Sequence, residues 1–167
     1  LAGEVDFAVV GDVPVMLAVI QGHDFYVLTQ TAESTSENKV LALKDGKIED
    51  PKVYFSTKRK LSTSIGGTPE FYTYNFLKYY EIPKENVEII AQKPEDMVPA
   101  IVSKSVDARS IFEPYPYIAE QNLQNQTVTF FLPKEVYSPL YVLTGNKVWV
   151  EKNREKNRKT ISCTDKS

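Results

Sequence analysis

Cysteine and histidine are nearly absent: Cys163 and His23 are the single examples in 167 residues. A disulfide within the chain is thereby excluded, as is a zinc centre built on several cysteines. Cys163 lies in a polar tail with no histidine near it in sequence, which leaves a thiol nucleophile without its usual base. His23 follows Gly22, just past the expected end of a helix, and reads as a surface residue. So few nucleophiles and ligands argue against an enzyme and imply neither a metal nor a cofactor. Long apolar runs are missing too, and nothing approaches the ~20 residues that a membrane-crossing helix needs. Positive charge is not in excess: 20 Lys and Arg stand against 22 Asp and Glu, a formal charge of −2, which points away from nucleic acid as a partner. No secretory leader pattern is present at Leu1-Ala2-Gly3-Glu4, so the chain is expected to be mature, truncated or both.

What the chain does have is a globular composition, 42% hydrophobic and 25% charged, at a length that suits one domain or two small lobes. Residues 5–10 read as a strand, 13–20 as an apolar helix ended by Gly22, and 25–29 as a second strand. Together they form a βαβ unit, the crossover that parallel pairing requires. Residues 31–38 read as a polar loop, 40–43 as a short strand, and Asp45-Gly46 as a turn. The irregular stretch 47–60, ending in Lys58-Arg59-Lys60, reads as a connection between lobes. Next come a strand at 61–65 and a helix at 68–80 with an aromatic face of Phe71, Tyr72, Phe76, Tyr79 and Tyr80. A strand at 87–90 precedes a helix from Pro94 that bears Met97, Val98, Ile101 and Val102 on one side. A strand at 108–112, a helix to about 122, and strands at 128–132 and 140–144 complete the pattern, with a frayed or exposed helix expected in the tail at 151–167. Strands alternating with helices predict an α/β fold with mostly parallel sheets.

The most informative stretch runs from Leu61 to Phe71. Two glycines end a strand, Thr68 is placed to cap a helix, and Pro69 suits the first turn, where a missing N–H costs nothing. Backbone N–H groups around Gly67, Thr68 and Glu70 then face out of the helix start, backed by the positive end of its dipole. That is a seat for a small anion or polar group. An ordinary capped turn between strand and helix fits the same residues. Similar junctions occur at Gly11-Asp12-Val13-Pro14 and Glu113-Pro114. Ligands of α/β folds gather outside the carboxyl ends of strands, so the junctions read as facing one cleft between two small sheets. Asp12 serves as a cap or as a ligand contact, and Glu113 as a ligand contact or as a partner of nearby backbone. Tyr72, Tyr115 and Tyr117 either wall the cleft or pack in the core.

In order along the chain, Val5-Asp6-Phe7-Ala8-Val9-Val10-Gly11-Asp12, then Ser64-Ile65-Gly66-Gly67-Thr68-Pro69, then Val106-Asp107-Ala108 leading to Phe112-Glu113-Pro114-Tyr115, resemble a known family. It is that of the solute-binding proteins of ABC transporters of the nitrate/sulfonate/taurine type, which include thiamine-pyrimidine binders. The likeness runs from about residue 3 to residue 153. It implies a periplasmic-binding-protein-like (type II) fold, two lobes hinged around a ligand. It also implies a periplasmic or extracellular, membrane-associated location, with the signal or anchor segment outside this chain, and delivery to an ABC permease. The ligand contacts it implies are Gly11, Asp12, Ser64, Gly66, Gly67, Thr68 and Glu113. Residues 1–61 would form part of lobe one and the connection, 62–136 lobe two, and 137–167 the return to lobe one and the tail.

Departures from the family pattern are equally specific. Family members are longer and begin with a strand and helix that line the site, so the first lobe is expected to be incomplete. Residues 53–60 stand where the family has an Asp-Leu-x-Gly-Lys-Lys type of segment, and Arg109 occupies a strand position that is usually apolar. The expected function is capture of a small-molecule solute, an oxyanion such as a sulfonate or nitrate ahead of a heterocycle such as an aminopyrimidine, by closure and without chemistry. Two alternatives share the fold. One is the ligand-sensing domain of a regulator, which needs a DNA-binding or signalling segment. The other is a pyrimidine-precursor binding or synthesis protein, whose enzymatic form needs a motif rich in His and Cys. The chain's four arginines are Arg59, Arg109, Arg154 and Arg158, and none is placed in the cleft by sequence, so an oxyanion would lean on N–H groups and hydroxyls.

Overall fold

Residues 5–153 are described by a computed structural model, in which the chain divides into two units, residues 1–34 with 138–167 and residues 35–137. In chain order the strands are β1 (Phe7–Gly11), β2 (Phe25–Glu33), β3 (Asn38–Leu43), β4 (Arg59–Thr63), β5 (Val87–Ala91), β6 (Ala108–Phe112), β7 (Thr127–Phe130) and β8 (Leu140–Asn146). The helices are α1 (Asp12–Ile20), α2 (Pro51–Tyr54), α3 (Thr68–Tyr79), α4 (Pro94–Val102), α5 (Tyr115–Leu123) and α6 (Lys147–Lys152). Cys163 and most of the polar tail lie outside the described residues. No helix among the described residues is long and apolar enough to cross a membrane.

The first unit corrects the expected parallel pairing. Its sheet runs β1–β8–β2, and both pairings are antiparallel. The crossover through α1 exists, but β8 lies between the two strands it joins. β8 also gives β2 a partner as far as Glu33↔Leu140, which turns residues 31–33 from expected loop into strand. The ring of Phe7 meets Trp149 of α6 edge-on, with centroids 4.7 Å apart.

In the second unit the sheet runs β5–β4–β6–β3–β7. β4 is parallel to β5 and β6, whereas β3 is antiparallel to both β6 and β7. The sheet is therefore mixed rather than mostly parallel, with β3 reversed among strands that share one direction. Val40, Leu41 and Ala42 of β3 are all fully buried, since helices cover both faces, and this explains a run without polar alternation. On one face Val40, Ala42, Leu61 and Phe130 pack with Tyr72, Phe76 and Leu77 of α3; on the other Leu41 packs with Ala100 and Ile101 of α4 and Ala119 and Leu123 of α5.

Residues 47–60 are not the irregular connection that their polarity suggests. Asp50 caps α2, its carboxylate accepting Val53 N at 2.9 Å, and the short helix delivers Tyr54 and Phe55 into the core. The second unit accordingly begins at residue 35, well before the boundary at 62 expected from sequence. The aromatic face of α3 is likewise narrower than its sequence: Tyr72 and Phe76 are buried, while Phe71 and Tyr79 stay exposed.

Candidate functional site

β4 ends at Thr63, the chain turns through Ser64-Ile65-Gly66-Gly67, and α3 begins at Thr68. Gly66 takes φ +84°, a left-handed conformation that glycine adopts without a Cβ penalty. The capping differs from expectation. Gly67 is the N-cap, no side chain caps the helix, and Thr68 is its first helical residue. Instead the carboxylate of Glu70 reaches back and accepts Gly66 N at 2.8 Å, beside the amides of the expected seat. The N–H groups of Gly67 and Thr68 meet no acceptor among the described residues and sit at the positive end of α3. The helix start is held from beneath: Thr73 Oγ1 lies 2.7 Å from Pro69 O and 3.2 Å from Thr63 Oγ1, whose hydroxyl donates to Ser110 O at 3.0 Å.

The neighbouring strand β6 ends at Phe112, and the Glu113–Pro114 peptide that follows is cis. Glu113 forms an ion pair with Lys39 of β3, and its Oε2 accepts Tyr117 N at 3.1 Å across the first turn of α5. Its own N–H donates to Glu37 O at 3.0 Å. Glu113 is thus bonded to nearby backbone, as one reading of the sequence held, and it is also charge-neutralised. Sequence reasoning passed over Lys39. No local motif marks it; only the β3–β6 register, which sets Lys39 opposite Ile111, brings its ammonium diagonally to Glu113. The same ammonium lies 5.7 Å from the centre of the Phe131 ring.

Arg109, noted in the sequence only as a departure, is fully buried in the middle of β6. Burial pushes its pKa down to about 10, against the opposing pull of Glu113, Glu120 and Tyr115, so it stays cationic at neutral pH. Its Nε and both terminal nitrogens find no hydrogen-bond partner among the described residues, and the same holds for Ser62 Oγ, Ser110 Oγ and the Asn38 amide.

In the first unit Gly11 is the N-cap of α1 and Asp12 its first helical residue, one place later than the capping role read from sequence. Asp12 Oδ1 accepts Val13 N at 2.8 Å. A cavity of about 270 Å³ in this unit is lined by Val10, Pro14, Val15, Phe25 and Thr144 among others, with exposed His23 at its edge. Of the residues implied as contacts, Ser64, Gly66, Gly67 and Thr68 share one turn and Glu113 directly follows a strand of the same sheet; Gly11 and Asp12 belong to the other unit.

Helix starts at the carboxyl ends of adjacent parallel strands, with free amides at one and a neutralised carboxylate at the other, belong to an α/β fold. It is the fold of the periplasmic solute-binding proteins. The structure matches the periplasmic aliphatic sulphonate-binding protein of Escherichia coli with a TM-score of 0.81 and 20% identity, over 98% of this chain and 53% of that one. It matches the periplasmic nitrate-binding protein of Synechocystis with a TM-score of 0.63 and 18% identity, over 98% and 46%. The family model described as NMT1-like matches residues 1–163, and the chain belongs to that family. A curated Bacillus subtilis (strain 168) protein described as aliphatic sulfonates-binding is 26% identical over 146 residues, 87% of this chain and 43% of that protein. The chain spans about half the length of these relatives, all of which are named for binding and none for catalysis.

Proposed function

We propose that the chain is part of an extracytoplasmic solute-binding component of an ABC importer and captures a small sulfonate or comparable oxyanion. The observation that carries this reading is the pair of unclaimed N–H groups at Gly67 and Thr68, at the positive end of α3. Glu113 does not stand against it, because Lys39 neutralises that carboxylate. Family membership and the sulfonate named for the curated relative support the same solute class. An oxyanion oxygen would accept from Gly67 N and Thr68 N, with the Ser64 and Thr68 hydroxyls as further donors. Gly66 would serve through its turn, since Glu70 holds its N–H. Gly11 and Asp12 are the contacts proposed on the first unit. No bond is made or broken; the bound solute is passed to a permease at the outer face of the cytoplasmic membrane.

Calorimetry and thermal shift on the purified chain test this with ethanesulfonate, taurine, nitrate, acetate and an aminopyrimidine. Sulfonates are expected to raise Tm in proportion to the logarithm of their concentration. Stabilisation by the aminopyrimidine alone would transfer the reading to a heterocycle, and stabilisation by none of them would end it.

A further inference from the structure

Side chains alternate across the sheet, and the pairings Ser62↔Arg109 and Leu41↔Arg109 place these three residues on one face. Leu41 packs with Ala100, Ile101 and Ala119, so this is the face that α4 and α5 cover. A guanidinium here is a charge in an apolar layer, where an unmet donor costs free energy and an unmet charge costs more. Both carboxylates that act on it are engaged elsewhere: Glu113 with Lys39 and Tyr117 N, Glu120 with the Thr129 hydroxyl at 2.9 Å. They temper the charge across space without accepting its hydrogen bonds. Beside it, on the next strand, the fully buried Ser62 Oγ is also unpartnered. Guanidinium donors and a hydroxyl from the paired residue of the next strand, both unpartnered, are a donor set for an anion.

We propose that Arg109 and Ser62 form a buried receptor for a small, singly charged anionic group inside the second unit, distinct from the amides of Gly67 and Thr68. The ligand chemistry is an anion of halide, nitrate or sulfonate-head size, taken bidentately by the guanidinium and bonded by the Ser62 hydroxyl. It approaches from the carboxyl end of β4, just beyond which Ser64 is only half-buried. Since Arg109 is wholly covered, occupancy requires the residues above it to part, and binding is slow beside that of an open seat. Two sources supply such a group: a free inorganic anion held as a fixture of the fold, or the acidic head of an organic solute.

The test uses the full chain with Arg109→Met and Arg109→Lys, in gluconate buffer at constant ionic strength, titrated separately with chloride, nitrate and methanesulfonate. Methionine suits the first variant because buried charges exchanged for apolar groups of similar volume commonly leave folding intact. The wild type is expected to gain Tm with the logarithm of added anion, Arg109→Met to lose that gain, and Arg109→Lys to retain part of it. In parallel the Nε–Hε NMR signal of Arg109, assigned by its absence in either variant, is expected to move with the titration. This signal keeps the test independent of how well the variants fold. Movement with chloride and nitrate identifies a fixture of the fold, and movement with methanesulfonate alone identifies a solute head. An anion-dependent gain undiminished in Arg109→Met, or an Arg109 signal unmoved by all the anions, overturns the proposal. Sulfonate stabilisation with an unmoved signal leaves the import reading standing while this one falls; a moving signal without organic-solute binding does the reverse.

Discussion

Lys39 on β3 and Glu113 at the end of β6 form an ion pair across antiparallel strands, with the lysine side chain 14% and the glutamate side chain 35% exposed. The pairing decides the charge presented at the strand ends. Replacing Lys39 by Met strips the carboxylate of its ion-pair partner and leaves only Tyr117 N and the charge of Arg109 to offset it. Two like charges about 10 Å apart repel by about 1.7 kcal/mol at an effective dielectric near 20, and screening lowers this, so a loss of affinity of up to roughly tenfold is expected. Calorimetry with ethanesulfonate at low salt should show that loss, shrinking as salt is added. An unchanged Kd in Lys39→Met would remove Glu113 from the neighbourhood of the solute.

Glu70 makes the opposite prediction. Its carboxylate holds Gly66 N and brings a negative charge to the first turn of α3, where it both stabilises the helix and competes with an incoming anion. Glu70→Gln keeps an acceptor for Gly66 N and removes the charge. Helix stability is expected to fall by about 0.3–1 kcal/mol, the usual size of a charge–dipole contribution, while sulfonate affinity rises several-fold. Urea melts and calorimetry on one sample check both signs. A variant that is less stable and also binds more weakly contradicts the anion seat.

Much of this fold is legible in the sequence because its helices and strands carry local marks. Gly66-Gly67 before Pro69, and Pro94 opening α4, sit at real junctions, and the strand at 108–112 matches β6 residue for residue. What stayed hidden depends on pairing between distant segments. β8 separating β1 from β2 cannot be read from either strand, because its register is set by a segment more than a hundred residues further on. Lys39 shows nothing until β3 is laid against β6. Tyr54 and Phe55 were masked by the polar residues on either side, since a helix as short as α2 has no room for a periodic signal.

Two buried tyrosines couple the stability of the second unit to alkaline pH. Burial pushes Tyr54 and Tyr72 up to about 12, outweighing the cation of Arg59 in the first case and the hydrogen bond with Leu132 N in the second. Between the ordinary tyrosine value near 10 and about 12 the unfolded chain releases these protons and the folded chain keeps them. The tyrosines' contribution to the unfolding free energy is therefore flat below about pH 10 and falls above it, by up to about 1.4 kcal/mol per pH unit for each, against the opposite slope of buried Arg109. Tyr72→Phe should remove its own share of that fall, up to about 1.4 kcal/mol per pH unit. It should also cost about 1–3 kcal/mol at neutral pH, because Leu132 N loses the acceptor it meets at 2.8 Å. Urea unfolding followed by far-ultraviolet circular dichroism at pH 8, 10 and 11 measures both effects. A slope that Tyr72→Phe leaves unchanged rules out this residue as its source.

Gly145 tests the packing of the first unit. It lies in β8 opposite both Phe7 and Tyr26, at the point where α6 folds back over the strand. A Cβ there would come within 2.6 Å of Val150 Cγ2, 3.2 Å of Leu28 Cδ1 and 3.3 Å of Phe7 Cε1. Gly145→Ala must therefore push the Val150 side chain aside and strain the packing of α6, at the roughly 1–3 kcal/mol typical of overpacking. The displacement has its own reporter, since Trp149 is the chain's single tryptophan and rests against Phe7. Its emission should shift to the red as the helix lifts. Val150→Ala removes the methyl responsible for the closest approach, so the double variant should recover part of the stability and most of the native emission, a clear departure from additivity between touching residues. If Gly145→Ala keeps both wild-type stability and wild-type emission, α6 does not pack on β8 as described.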